Sequence, residues 1–360
     1  MNVDNKYISY LDGLRGYAIL FVLLGHFDLA KIYLARFGVT VFFFVSGFLI
    51  TKLLIYEFKK QGTIHLKDFY LRRVFRLYPA LIFMLLSVLI ILFIHQFRVL
   101  MPDIMAGLFY FTNYYLVYFR PEHIPDTYLM VSKILWSLSV EEHFYLVFPL
   151  LFALCFKPGG KRFVTGLSIA LAVFLLIRIY AVQGLDPVRA FNVTYFPTHT
   201  RGDSILYGCV AALLIYSIQA NWYLRMVQSK VVFWTAMAVL CISLLYRDDW
   251  FQNTLAYSMA GIGFFFVIPY FSYAKDTNLV KRLIDNKASV FIGKLSYSLY
   301  LFHWISLKLG NLYFQEKNLQ WYLLVVPLTA GLSCLSYFVV EKPFLALRKK
   351  YGSNVKLSVR

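Results

Sequence analysis

Residues 79–97 read PALIFMLLSVLIILFIHQF, and they decide the class of fold. Before His95 the stretch contains no charged side chain, and Ser87 carries its one hydroxyl group. A helix rises 1.5 Å per residue, so about 20 apolar residues cross roughly 30 Å of hydrocarbon. The stretch therefore predicts a helix that spans a membrane.

The rest of the chain has the same character. Hydrophobic residues make up 60% of it and charged residues only 15%, which excludes an ordinary soluble domain. Similar apolar stretches recur along the whole sequence, so we predict an all-α, polytopic transmembrane helix bundle of ten spans. The ten stretches centre on residues 17–30, 37–56, 79–97, 134–156, 163–183, 200–217, 229–247, 254–273, 290–308 and 321–340.

The distribution of basic residues predicts the orientation of the spans. Lys and Arg collect in cytoplasmic loops, and the chain has a net charge of +18. Residues 104–119 form a short, tyrosine-rich stretch; if it does not cross, the basic loops and the basic C-terminal end all fall on one side. We therefore predict that both termini are cytoplasmic and that residues 104–119 are re-entrant or interfacial. The net charge is explained by this topology rather than by nucleic-acid binding.

Domain organisation follows from the absence of a soluble linker. Residues 1–345 are predicted to form one integral membrane domain, and residues 346–360 a basic cytoplasmic tail. The four cysteines lie inside apolar stretches without paired spacing, which argues against a disulfide framework or a zinc site. No metal is predicted.

Arg15 and His26 are ionisable residues in the first apolar stretch, eleven positions apart. On a helix they lie about 16 Å apart on similar faces. Ionisable groups within spans usually face a cavity or a partner. An arginine suits an anionic cofactor, and a buried histidine suits proton transfer or nucleophilic attack. The alternative is a flanking charge and a histidine hydrogen-bonded to another helix.

Residues 136–143 read WSLSVEEH inside an otherwise apolar stretch. Glu141 and Glu142 point about 100° apart on a helix, so they serve different partners. One could orient a catalytic histidine, and the other could pair with an arginine. A structural salt bridge to Arg178 or Arg201 is the alternative.

A basic stretch precedes residues 79–97. Arg72, Arg73 and Arg76 share one face if that stretch is helical. They can be the basic flank of a span, or they can clamp phosphate groups, because guanidinium groups match phosphate oxygens bidentately. Coenzyme A carries such phosphates and stays in the cytoplasm.

Three more polar residues lie within apolar stretches. Arg201 and Asp203 open the sixth stretch, where they could also be a helix-capping charge pair. His303 lies among aromatic residues and could equally be an interfacial or core residue.

These residues together resemble the acyltransferase 3 family of integral membrane acyltransferases. Arg15 and His26 are similar to its Arg-x10-His motif, and residues 72–79 (RRVFRLYP) to its arginine motif. Residues 136–142 (WSLSVEE) resemble its Trp-Ser-Leu-x-x-Glu-Glu signature. Residues 43–50 (FFVSGFLI), 293–303 (GKLSYSLYLFH) and 340–344 (VEKPF) also match. The likeness covers about residues 8–345, with one departure: Ile305 stands where the family commonly has proline.

The resemblance implies a multi-pass protein of the cell inner membrane that moves an acyl group, most simply acetyl, from acetyl-CoA or a related acyl-CoA to a carbohydrate or glycolipid hydroxyl. It implies that Arg15, Arg72, Arg73 and Arg76 bind the donor and that His26, with Glu141 and Glu142, is catalytic. Trp136, Ser139, Arg201, Asp203 and His303 are then predicted to support or bind the acceptor. Many relatives carry a fused extracytoplasmic hydrolase-like domain, so any second transfer step is expected to need a separate extracytoplasmic partner enzyme.

Two other classes of protein remain open at this point. A transporter or flippase also uses charges at membrane depth. A haem or quinone oxidoreductase could use the histidines, although facing histidine pairs at helical spacing are missing. The acceptor glycan, its hydroxyl position and the acyl group are not decided by the sequence.

Overall fold

A computed structural model describes residues 8–121, 132–273 and 279–348 of the chain. All regular structure in these ranges is helical, and they contain no β-strand. The predicted all-α class is therefore confirmed. Residues 349–360 of the predicted basic tail lie outside the described residues.

The helices follow one another with short connections, and their bounds fall into two groups. The first group is α1 (Ser9–His26), α2 (Ile32–Gln61), α3 (Leu66–Ile94), α4 (Met101–Leu108), α5 (Thr112–Tyr114), α6 (Trp136–Cys155), α7 (Lys161–Ala181), α8 (Pro187–Tyr195) and α9 (Thr198–Arg201). The second is α10 (Asp203–Leu213), α11 (Asn221–Gln228), α12 (Lys230–Leu245), α13 (Asp249–Asn253), α14 (Leu255–Tyr273), α15 (Leu279–Ile284), α16 (Lys287–Tyr313), α17 (Leu319–Leu335) and α18 (Lys342–Arg348). Wider π-helical turns extend α5, α10 and α17, and a 3-10 turn at Ser132–Leu135 leads into α6.

Each of the ten predicted spans overlaps a helix of the structure. Within the described residues, six helical segments are long and apolar enough to cross a membrane, and α10 with α11 forms a seventh if that pair, bent by 119°, is one span. The remaining three predicted spans correspond to α1, α12 and α16. Charged residues make α1 and α16 less apolar, and α12 has only 16 residues. The six segments are Ile32–Gln61, Leu66–Ile94, Ser132–Cys155, Lys161–Ala181, Leu255–Tyr273 and Leu319–Leu347. The count of ten crossings stays a prediction.

The segment predicted to be re-entrant or interfacial is broken rather than continuous. α4 ends at Leu108, Tyr110 adopts a left-handed backbone conformation with φ of 52°, and α5 has only three residues before a π-helical turn over Tyr115–Phe119. Irregular backbone at membrane depth requires cover from protein or water. Tyr110 and Tyr115 are buried, so protein covers part of this segment.

Close helix contacts bring the functional residues together. The most extensive contacts join α1 to α16 and α2 to α10. A Cβ atom at Gly293 of α16 would collide with the carbonyl oxygen of Asp12 in α1, and one at Gly47 of α2 with that of Ile205 in α10. Small residues let backbones approach where lipid gives little driving force for helix association. The contact between α1 and α16 places the helix of Arg15 and His26 against the helix of His303.

The start of α16 is fixed by local hydrogen bonds. The Asn286 side chain accepts from the backbone N–H groups of Ala288 and Ser289, each at 3.0 Å, and so satisfies donors that the first helical turn leaves free. The cap therefore stabilises the first turn of α16, the helix that carries His303.

Candidate active site

His26 and His303 form a pair at the contact between α1 and α16. The Nδ1 atom of His26 lies 2.9 Å from Nε2 of His303, and the rings stack with centroids 5.2 Å apart and planes within 5°. His303 is fully buried, whereas His26 is only partly buried. His26 is also the last residue of α1, so it sits at the helix end opposite to Arg15.

The hydrogen bonds of this histidine pair fix its tautomers. The Nδ1 atom of His303 lies 3.0 Å from the carbonyl oxygen of Leu299, which can only accept, so Nδ1 of a neutral His303 carries the proton. Its Nε2 then accepts from Nδ1–H of His26. The lone pair of His26 is consequently on Nε2, the atom that can take a proton or attack a carbonyl carbon.

Aromatic and hydroxyl groups connect the histidine pair to α6. The Trp304 ring lies 5.7 Å from the His26 ring, and the Tyr300 ring 5.7 Å from that of His303. The Tyr300 hydroxyl donates to the Ile134 carbonyl at 2.9 Å, so the Ser137 hydroxyl, 2.6 Å away, donates to Tyr300. Ser137 precedes Glu141 by one helical turn, and the same face of α6 therefore leads towards the carboxylates.

Glu141 belongs to a second group of residues. Its carboxylate accepts from the Tyr145 hydroxyl at 3.3 Å, and the guanidinium of Arg73 lies 3.4 Å from the centroid of the Tyr145 ring. The positive charges of Arg73 and Arg15 both attract the Glu141 carboxylate. Among the described residues neither Glu141 nor Glu142 hydrogen-bonds to His26. The carboxylate predicted to orient His26 is thus replaced in the structure by His303.

A third carboxylate completes this group. Glu341 accepts a hydrogen bond from Ser298 of α16, and the charges of Arg76 and Arg15 act on it. The positive charges of Arg73 and Arg76 likewise attract the Glu142 carboxylate. We call the following residues the arginine–carboxylate cluster: Arg15, Arg73, Arg76, Glu141, Glu142 and Glu341.

Arg72 differs from the arginines that follow it in α3. Its Nη2 atom lies 3.3 Å from Oε2 of Glu57, a buried residue of α2 that also accepts from the His65 backbone N–H at 2.9 Å. Arg72 therefore helps to hold the connection between α2 and α3. The predicted helical conformation of this stretch is confirmed, because α3 begins at Leu66.

Asp203 is bound by an arginine other than its neighbour in sequence. Nη2 of Arg178 lies 2.7 Å from Oδ2 of Asp203, and both side chains are fully buried. Arg178 also donates to the carbonyl oxygens of Thr254 at 3.0 Å and Thr200 at 2.6 Å. A local pair between Arg201 and Asp203 is not seen, nor is a salt bridge from Arg178 or Arg201 to Glu141 or Glu142, among the described residues.

Arg201 instead lies within an aromatic wall. Its guanidinium carbon is 3.9 Å from the centroid of the Tyr257 ring, and Nη2 donates to Thr40 at 3.0 Å. Trp136 packs on Tyr195 with centroids 4.4 Å apart, and Tyr195 also lies 5.7 Å from the guanidinium carbon of Arg201. Trp136 and Arg201 thus border one aromatic region.

Ser139 and His143 make contacts within the protein. The Ser139 hydroxyl is buried and donates at 3.0 Å to the carbonyl of Leu135, the residue just before α6. Nδ1 of His143 lies 2.8 Å from the Thr198 hydroxyl. Within residues 8–121, 132–273 and 279–348, no group of three or more His, Cys, Asp or Glu side chains could hold a metal ion.

With the geometry of the site described, the sequence of the chain can be compared with those of known proteins. Residues 8–338 match the family model of an acyltransferase domain, acyltransferase 3. The chain belongs to this family. Its resemblance to acyltransferase 3 proteins, drawn from the sequence motifs, is confirmed.

Individual relatives of this acyltransferase 3 chain have longer sequences. It is 29% identical over 359 residues to O-acetyltransferase OatA of Staphylococcus aureus strain NCTC 8325 / PS 47, a match that covers 96% of this chain and 58% of OatA. OatA of strain MRSA252 gives the same values. The chain thus spans less than two thirds of the length of these relatives. No solved structure matches it.

Sequence reasoning missed three residues that the structure of this acyltransferase 3 chain brings into the site. Glu341 lies in the VEKPF block that carries part of the family resemblance, and this block was the available signal. Arg178 was considered only as a partner for Glu141 or Glu142. Tyr300 lies in the GKLSYSLYLFH block one turn before His303, at the spacing of residues that share a helix face.

Proposed function

We propose that this chain is a multi-pass membrane O-acyltransferase that transfers an acyl group, acetyl in the simplest case, from acyl-CoA to a carbohydrate hydroxyl. The observation that carries the proposal is the histidine pair. It leaves Nε2 of His26 as a free base or nucleophile about 16 Å along α1 from Arg15. Family membership and the OatA relatives support the same reaction class.

The proposed topology has ten crossings in the cell inner membrane, with both termini cytoplasmic. Residues that it assigns to the same membrane face are neighbours in the structure: Arg15 acts on Glu141 and Glu341, whereas His26 lies near His303 and Lys317. An additional crossing by residues 104–119 would reverse α6 and separate Ile134 from Tyr300, which are hydrogen-bonded. These contacts support an even number of crossings.

The arginine–carboxylate cluster is the proposed binding site for the phosphates of the acyl donor. Guanidinium groups offer planar, bidentate donors that match phosphate oxygens. Glu141, Glu142 and Tyr145 hold Arg73 in place, and this restricts the conformations that its side chain can adopt. Arg72 is bound to Glu57, so we assign it a structural part in this site.

His26 is the proposed catalytic residue, and it can act in either of two ways. As a base, Nε2 takes the proton of the acceptor hydroxyl while the oxygen attacks the thioester carbonyl carbon, whose π electrons move to oxygen. The carbonyl then re-forms, the C–S bond breaks and the departing thiolate takes the proton from His26. As a nucleophile, Nε2 attacks the carbonyl carbon itself, the C–S bond breaks and the thiolate leaves. The hydroxyl oxygen then attacks the acyl-histidine, the C–N bond breaks to regenerate the imidazole, and the hydroxyl proton ends on the thiolate.

The acceptor is proposed to be a cell-surface or exported carbohydrate. Trp136 and Arg201 border an aromatic region, and flat aromatic faces suit the apolar faces of sugar rings. Asp203 supports this region through Arg178 rather than by direct binding, because its carboxylate is already paired and fully buried.

Acetyl transfer by the purified protein tests the proposal. Proteoliposomes that contain the wild-type chain are supplied with [14C]acetyl-CoA and delipidated envelope glycan. We expect alkali-labile label on the glycan, its loss in His26→Ala, and its retention in His95→Ala, a histidine at the end of α3 that belongs to none of the motifs. A protein that moves glycan across the vesicle membrane without labelling it would be a transporter, and this result would overturn the proposal.

Acid quenching separates the two possible actions of His26. Wild-type protein is mixed with [14C]acetyl-CoA in the absence of acceptor and denatured within milliseconds. Label that remains on wild-type protein but not on His26→Ala indicates an acyl-histidine, whereas the absence of label from both indicates that His26 acts as a base.

A further inference from the structure

Two lysines lie around the end of α1 that carries His26. Nζ of Lys317 donates to the carbonyl oxygen of His26 at 2.9 Å and pairs with Asp28 at 2.5 Å. Nζ of Lys308 lies 5.2 Å from the centroid of the Trp304 ring, which itself lies 5.7 Å from the His26 ring. They come from α16 and from the connection between α16 and α17.

Lys133 joins them from the turn before α6. It precedes Ile134, whose carbonyl accepts from the Tyr300 hydroxyl next to His303, and its charge acts on His26. The positive charge of Arg120 repels those of Lys133 and Lys308, whereas the Asp103 carboxylate attracts Lys308. We call Lys133, Lys308 and Lys317 the lysine cluster.

The lysine cluster is not explained by topology. Cytoplasmic loops are the ones that collect Lys and Arg, and on the proposed topology this cluster lies at the opposite face. Like charges close together repel one another, and the repulsion is strongest where water is scarce. Of the three lysines of the cluster, only Lys317 has an ion pair among the described residues, and the Lys133 side chain is exposed.

We infer that the acceptor is anionic, with a carboxylate or phosphate group that Lys133 and Lys308 hold so that its hydroxyl reaches Nε2 of His26. This inference rests on the proposed function and specifies its acceptor. A fixed anion on the acceptor offsets the repulsion between the lysines and places the reacting hydroxyl against the base, which is the positional part of catalysis.

The inference is tested on envelope oligosaccharides released from the expressing cells and separated by anion exchange into neutral and anionic pools. We expect wild-type protein to transfer [14C]acetyl mainly to the anionic pool. Phosphatase treatment before separation distinguishes phosphate, whose removal moves acceptors into the neutral pool and ends labelling, from carboxylate, which it leaves unchanged.

Charge variants then locate the contact. Lys133→Met and Lys308→Met should each raise KM for the anionic pool about tenfold, the factor that 1.4 kcal/mol represents. Lys133→Arg should restore most of the affinity, and Lys161→Met, at an exposed lysine of the first turn of α7, should have no effect. Lys161→Met should also hydrolyse acetyl-CoA without acceptor at the wild-type rate.

Three results would overturn the inference. They are preferential labelling of the neutral pool, an unchanged KM in both Met variants, and a raised KM for acetyl-CoA instead of for the acceptor. If wild-type protein neither labels any pool nor turns over acetyl-CoA, it is the proposed function itself that fails, and the inference falls with it.

Discussion

Nδ1 of His26 lies 2.9 Å from Nε2 of His303, although 277 positions separate the two residues in the sequence. Because neutral His303 donates its one ring proton, on Nδ1, to the Leu299 carbonyl, its Nε2 accepts from Nδ1–H of His26, and the lone pair of His26 is on Nε2. A histidine in α16 thereby takes the orienting part that carboxylates take in many acid–base pairs.

Removal of this orienting ring should slow the chemical step. We expect His303→Ala to lower kcat for acetyl transfer by about 100- to 10,000-fold, the range of a general base contribution, with KM for acetyl-CoA within about twofold of wild type. Steady-state kinetics in proteoliposomes measures both values, with His95→Ala as the matched control. Retention of wild-type kcat in His303→Ala would show that the pair is structural.

The two adjacent arginines of α3 should behave differently. Arg73 lies in the arginine–carboxylate cluster, whereas Arg72 is bound to Glu57. We expect Arg73→Met to raise KM for acetyl-CoA at least about tenfold. Arg72→Met should leave that KM nearly unchanged and lower thermal stability, because it releases the connection between α2 and α3. Equal effects of both variants on KM would contradict this division.

The sequence predicted where helices lie much better than it predicted what they bring together. Residues 163–183 were predicted as a span and α7 covers Lys161–Ala181, because lipid forces backbone hydrogen bonds to form within each segment and apolar stretches record that requirement. The partner of His26 depends on how α1 packs on α16, which local spacing does not contain. The sequence offered the neighbouring Arg201 as an alternative partner for Asp203, because a helix cap is a local pattern, whereas the ion pair from Arg178 in α7 depends on packing.

The ion pair between Arg178 and Asp203 should be a large contribution to stability. Asp203→Leu leaves a guanidinium buried without its carboxylate, and breaking such a pair costs about 3–5 kcal/mol. The double variant Arg178→Leu/Asp203→Leu should recover part of this loss, since no unpaired charge remains. Unfolding in detergent, read as a double-mutant cycle, checks the coupling. Additive effects of the two single substitutions would argue against a paired contribution.

The close approach of α2 and α10 should make Gly47 intolerant of any side chain. An added Cβ atom would collide with the carbonyl oxygen of Ile205, which is backbone and cannot swing aside. Gly331 of α17 is the matched control, since a Cβ atom there meets no other atom within 4 Å. We expect Gly47→Ala to reduce the folded fraction sharply, because overpacking costs about 1–3 kcal/mol or more, and Gly331→Ala to behave as wild type. Gel filtration in detergent measures the folded fraction of each variant. If Gly47→Ala elutes as a single folded species in wild-type yield, α2 and α10 do not approach as closely as described, and the buried position of Arg201 beside Thr40 would have to be revised with them.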